Sequence, residues 1–218
     1  MLRRLPLFVA AFAVLAALFS SPASAAEAAV TVRGGDTLYS GASRCRVGFN
    51  AHQGTTNYGL MAGHCLSAGT TWYRDSAHTQ PVGTAAGSSF PGNDYGVLRY
   101  FDTVSAPSVV ASGSSTFPIT TARNPVVGEQ VCMPSLTGGL QCGRVTAVNV
   151  TVSYPEGSIS GLFSANLCVE PGDMGGPGFS GTAALGIAVG GQGTCSSGGT
   201  TFFQPVVEIL SAYGLTVG

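Results

Sequence analysis

CVEPGDMGGPGFSG, Cys168 to Gly181, places five glycines and two prolines around a single aspartate, Asp173. Glycine tolerates backbone conformations that other residues avoid, so a chain this rich in it can bend until successive N–H groups face one point. Such a nest holds an anion, and acyl-transfer chemistry requires one for the oxyanion of its tetrahedral intermediate. The plainer alternative is an ordinary Gly/Pro turn. The residue between Asp173 and Gly175 is Met174. A thioether has no proton to give a general base and forms no stable acyl adduct, so covalent catalysis at this position is closed.

Upstream, GLMAGHC (59–65) puts His64 directly before Cys65 at the end of an apolar run, and PGNDYGVLRY (91–100) puts Asp94 at the head of a strand-like segment. Alone, the histidine reads as structural and the aspartate as a turn residue. Taken in chain order, histidine, aspartate and glycine-rich loop follow the order of one Ser-His-Asp template.

The rest of the chain alternates short runs rich in Val, Ile, Thr, Tyr and Phe with Gly, Ser, Asn and Pro clusters; CRVGFNA (45–51), DYGVLRY (94–100), GRVTAVNVTVSY (143–154) and LGIAVGG (185–191) are examples. This is an all-β pattern, a sandwich or barrels. One helix is predicted near the end, in PVVEILSAYG (205–214), where Val206, Val207, Ile209 and Leu210 share a face between Pro205 and Gly214.

Charge is sparse: 9% of residues, a formal net of −1, with every basic residue an arginine and no run of like sign. Neither a nucleic-acid site nor a polybasic membrane patch is visible, and a monomer is expected. Residues 1–26 carry Arg3 and Arg4, an apolar stretch to Phe19 and the small-residue site Ala23-Ser24-Ala25, which reads as a secretory signal peptide rather than an anchor. Six cysteines in the exported part predict disulfides. Sequential pairing, Cys45–Cys65, Cys132–Cys142 and Cys168–Cys195, is the expectation, although sequence alone leaves other connectivities open. The cysteine and histidine spacings suit no zinc site, and no cofactor is read from the sequence.

Together, AGHC (62–65), SSFPGNDYGVLRY (88–100), EPGD-x-GGP (170–177), CSSGGTTFFQPV (195–206) and LSAYG (210–214) make everything after about Arg33 resemble the streptogrisin branch of secreted bacterial chymotrypsin-like serine proteases. The resemblance implies two perpendicular six-stranded antiparallel β-barrels, residues 34–116 and 117–218, with a C-terminal helix in the second and a peptide-binding cleft between them. It implies that His64 is the general base, Asp94 its orienting carboxylate, and the N–H groups of Gly172 and Met174 the oxyanion hole. Val189, Gly190 and Gly191 would wall a primary pocket for large apolar side chains, with Glu170 on its rim. The Cys132–Cys142 spacing matches members with a third disulfide. The segment 27–33 is far shorter than the pro-segment such proteases carry.

Several positions depart from that pattern. Met174 replaces the nucleophile. Val189 replaces a serine whose hydroxyl supports the catalytic aspartate, and Met133 an arginine expected to pair with Asp173. Met61 replaces a threonine of lesser weight. These changes predict a proteolytically inactive homologue that acts by binding a peptide or protein in the cleft. A serine at 174 alone is expected to fall short of family-level activity. The competing reading is an active endopeptidase cleaving after large apolar residues, of which this sequence is an inactivated variant. A third is a soft-metal site built from Met61, Met174 and His64.

Overall fold

The computed structural model describes residues 29–67, 70–136, 139–170 and 172–218, so the predicted signal peptide (1–26) lies outside the described residues, as does the start of the 27–33 segment. Among the described residues the architecture is nearly all β, with two barrel-like sheets and one short α-helix.

In the first sheet the strands lie in the order Ser43–Arg46, Thr37–Ser40, Thr71–Tyr73, Pro81–Ser89, Tyr95–Tyr100, Thr56–Met61 and Phe49–Gln53. Seven segments thus appear where the resemblance implied six strands. The reason is a bend: the two edge strands are consecutive in sequence, separated only by Val47 and Gly48. One stretch of chain serves both edges and curls the sheet into a barrel. Gly48, between these edges, permits the close approach of the two barrels, because a Cβ there would lie 2.1 Å from Ile187 Cγ2 of the other barrel. A side chain at that point would separate the barrels.

The second sheet closes on itself. Its order is Thr121–Ala122, Ala183–Thr194, Pro177–Ser180, Gln130–Pro134, Leu140–Tyr154, Gly157–Ala165 and Gly198–Pro205, and Ala183–Thr194 also pairs with Gly198–Pro205. Six antiparallel strands make the closed barrel; Thr121–Ala122 adds to it in parallel. The hairpin Leu140–Tyr154/Gly157–Ala165 shifts register three times, between Val145 and Val152. Such bulges bend and twist a ribbon, and this one carries Tyr154 and Glu156 to the mouth of the cleft.

Three buried clusters form the core. One fills the first barrel around Leu38, Trp72 and Leu98, and another the second around Met133, Phe163, Leu185 and Phe203. The third lies between them and draws on both: Phe49, Leu60 and Val97 from one side, Ile159, Leu162, Phe179 and Ile187 from the other. Val206 and Ile209 of the helix Val206–Tyr213 are buried in this shared core, and Gly214 ends the helix in the left-handed region at φ 63°. Among the described residues no helix is long and apolar enough to cross a membrane.

The cysteines pair sequentially, Cys45 to Cys65, Cys132 to Cys142 and Cys168 to Cys195. The first ties the edge of the first sheet to the turn that carries His64; the third anchors the chain entering the Asp173 loop.

Candidate active site

His64 sits in a single 3-10 turn, Gly63–Cys65, just past the strand Thr56–Met61. Gly63 is the enabling residue: a Cβ there would lie 2.7 to 2.8 Å from Ser89 O and from the backbone N and O of Tyr95. This close approach brings His64 onto Asp94 at the head of the strand Tyr95–Tyr100. The imidazole Nδ1 is 2.7 Å from Asp94 Oδ2, and the His64 backbone N–H donates to Oδ1 at 2.8 Å. The hydrogen bond to Asp94 raises the His64 pKa above its ordinary value, burial opposes this, and the carboxylate charge adds to the rise. Asp94 is buried, and its own N–H donates to Gln204 Oε1 at 3.0 Å. Gln204, in turn, donates to Glu208 at 2.7 Å. Sequence reading missed Gln204; the signal was a lone amide in the apolar strand TTFFQPV.

On the facing barrel, the loop carrying Met174 bends through two left-handed glycines, Gly172 at φ 103° and Gly175 at φ 82°. The Gly175 and Gly176 N–H groups are taken by Ala188 O and Asp173 O, at 2.7 and 3.0 Å. Among the described residues the Met174 N–H meets no protein acceptor. Asp173 is fully buried. It is not deprived of an arginine by Met133, as the sequence led us to expect: Arg46 of the first barrel reaches across to it, Nη1 to Oδ1 at 3.2 Å. Further donors to it among the described residues are Ser135 Oγ at 3.1 Å and the backbone N–H groups of Leu136 and Glu170 at 2.8 and 3.1 Å. Met133 is packed in the second barrel's core instead.

Between the barrels lies a cleft of about 480 Å³ lined by His64, Phe90, Asp94, Tyr154, Glu156, Ile159, Met174, Val189, Gly190 and Gly191. The sequence-predicted His64, Asp94, Met174, Val189, Gly190 and Gly191 therefore come together, with Gly172 on the same loop as Met174. Val189 gives the cleft an apolar wall and offers Asp94 no hydrogen bond. Tyr154 was not foreseen. Its hydroxyl is buried without a hydrogen-bond partner among the described residues and lies only 2.0 Å from where a Gly190 Cβ would be. Burial, and then the Asp94 charge, raise its pKa. Besides Asp94, the lining carries the acid Glu156, whereas the sequence had singled out Glu170, which does not line it.

The proposed soft-metal trio is not assembled. Met61 is fully buried in the first barrel's core and does not line the cleft. Cys45, His64 and Cys65 do cluster within 4.8 Å, but the two cysteines are bonded to each other and their sulfurs are not free thiolates.

Two barrels facing each other across a cleft, with a His–Asp pair on one side and a glycine-bent loop on the other, define a chymotrypsin-like serine-protease scaffold. No protein-family model matches the chain. Comparison with individual proteins does place it. Serine protease 2 of Streptomyces fradiae is 45% identical over 78% of this chain and its own full length. Streptogrisin-D of Streptomyces griseus is 45% identical over 89% of this chain, which spans about half the length of that relative. The solved structure of Alpha-lytic protease homolog N4 superposes with a TM-score of 0.81 at 47% identity, covering 87% of this chain and all of that one. A solved serine protease specific for glutamic acid, which uses a histidine triad in substrate binding, superposes with a TM-score of 0.81 at 42% identity over 86% of this chain and all of that one. The chain belongs to the streptogrisin-type family of chymotrypsin-like bacterial serine proteases.

Proposed function

We propose that this protein is a secreted, proteolytically silent member of its family, which holds a peptide in the interbarrel cleft without cutting it. The observation that carries this reading is Met174, at the nucleophile position of an otherwise assembled site: the His–Asp pair is formed, the loop glycines are bent and the cleft is open. His64 can accept a proton, but the group across the cleft has none to offer. The signal-like N-terminus and the three disulfides support secretion.

The ligand side chain that fits is apolar. Gly190 and Gly191 leave room, Phe90, Ile159 and Val189 supply apolar wall, and Glu156 at the mouth disfavours an acidic group. Glutamate specificity of the histidine-triad type does not carry over. Of the three histidines, His52 is bonded to Thr216 and His78 packs on Tyr73, leaving His64 in the cleft.

The test is equilibrium binding of a fluorescent peptide with a central phenylalanine, followed by mass spectrometry of the same sample. Saturable binding with the peptide recovered intact is expected. Catalytic cleavage, or no binding at millimolar protein, would overturn the reading. A second reading is favoured by the formed His64–Asp94 pair: with a serine at 174 the scaffold is an endopeptidase cleaving after large apolar residues.

A further inference from the structure

We infer that Arg46 is the positioning residue of the Gly172–Gly176 loop, holding it from the opposite barrel so that its shape does not depend on residue 133. The inference does not rest on whether the cleft cuts its ligand.

Asp173 is buried at the base of the loop, and a buried carboxylate needs both charge compensation and filled lone pairs. Of its donors among the described residues, Ser135, Leu136 and Glu170 contribute neutral groups; the cation is Arg46. The guanidinium is itself 3% exposed, and each of its three nitrogens donates a hydrogen bond. Its Nε and Nη2 donate to Gly35 O at 2.9 and 2.8 Å, and its Nη1 donates to Pro134 O at 2.5 Å as well as to Asp173. Gly35 belongs to the first barrel's side, Pro134 and Asp173 to the second, so one planar group fastens the loop across the seam. A fork of fixed donors suits that task better than a point charge.

The backbone of Arg46 adds to the hold. Its N–H donates to Met174 O at 3.4 Å, and its carbonyl oxygen lies 2.6 Å from where a Cβ on Gly175 would be. The chain on either side of Met174 is thus laid directly along Arg46. Met133 approaches the same spot from the second barrel: its Sδ is 3.3 Å, and Arg46 Nη1 3.6 Å, from the Cβ position of Gly176. The two side chains converge on one place, and one of them carries the charge.

Hydrogen exchange of the full protein, with Met174 retained, tests this without any ligand. Arg46→Ser should accelerate exchange across Glu170–Gly176 by about tenfold or more while Pro81–Ser89 stays protected. The relocated cation, Arg46→Ser with Met133→Arg, should recover most of that protection; Met133→Arg alone should add none. Arg46→Lys, which keeps the charge but loses the fork, should loosen only the loop, and it decides the matter if Arg46→Ser does not fold. In a Met174→Ser background, labelling by an organophosphonate should follow the same order, with Arg46→Ser slower by on the order of 10²-fold. Unchanged loop exchange in Arg46→Ser and Arg46→Lys would overturn the inference. So would a uniform loss of protection that the relocated arginine fails to rescue. If Met174→Ser takes no label, that counts against the catalytic competence of the scaffold, while the exchange arm still decides the role of Arg46.

Discussion

His64 lines one cleft with Met174 and is held by Asp94. The hydrogen bond to Asp94 is formed, and it raises the imidazole pKa. Proton NMR titration should therefore place His64 above the ordinary value of about 6.5, and Asp94→Asn should bring it down. Because the folded pKa is raised, the pairing contributes stability that is complete below the unfolded value and is lost as pH rises through the folded one. A His64 titrating below 6.5 would show that burial outweighs the bond. A second test lies at Gly190. A methyl there would meet the Tyr154 hydroxyl, so Gly190→Ala should cost about 1–3 kcal/mol by urea denaturation and weaken peptide binding. At this scale, His64, Asp94 and Met174 were legible together, from their chain order and the family-like motifs around them, and not singly. Arg46 was not, since nothing adjacent to it in sequence marks it; its partners in the second barrel lie 88 and 127 residues away. The available hint was an arginine inside CRVGFN, a run otherwise suited to burial.

Among the elements, strand segments and the C-terminal helix were readable from alternation, turn residues and the Pro205/Gly214 boundaries. The need for a glycine at 48 was not, because it is set by the close approach of Ile187 from the opposite barrel. Nor were the register shifts of the Leu140–Tyr154 hairpin, which place Tyr154 and Glu156 at the cleft. The Gln130–Pro134 strand yields a prediction opposite to the one the sequence invited. Met133 was expected to leave Asp173 without its arginine, but Asp173 already has Arg46. Met133→Arg alone should add a second buried cation for one carboxylate and destabilise the protein by about 2 kcal/mol or more. Chemical denaturation checks this; an unchanged or raised midpoint would mean that the loop has room for both.

The whole molecule is held by a core shared between the barrels and by three crosslinks that leave no free cysteine among the described residues. Thiol titration of denatured, unreduced protein should find none. Replacing Cys45 and Cys65 together by alanine should cost about 2–4 kcal/mol, read by urea denaturation. None of this framework draws on Met174, which belongs neither to the shared core nor to a crosslink. The most direct measurement is turnover of an apolar peptide ester, with organophosphonate labelling, by the protein and by Met174→Ser. The protein itself should show neither. With the His64–Asp94 pair formed and the loop clamped by Arg46, Met174→Ser should take the label at residue 174 and gain on the order of 10³-fold or more in turnover, since removal of a nucleophile costs about 10⁶ in a comparable enzyme. Turnover and labelling by the protein with Met174 in place would contradict the account.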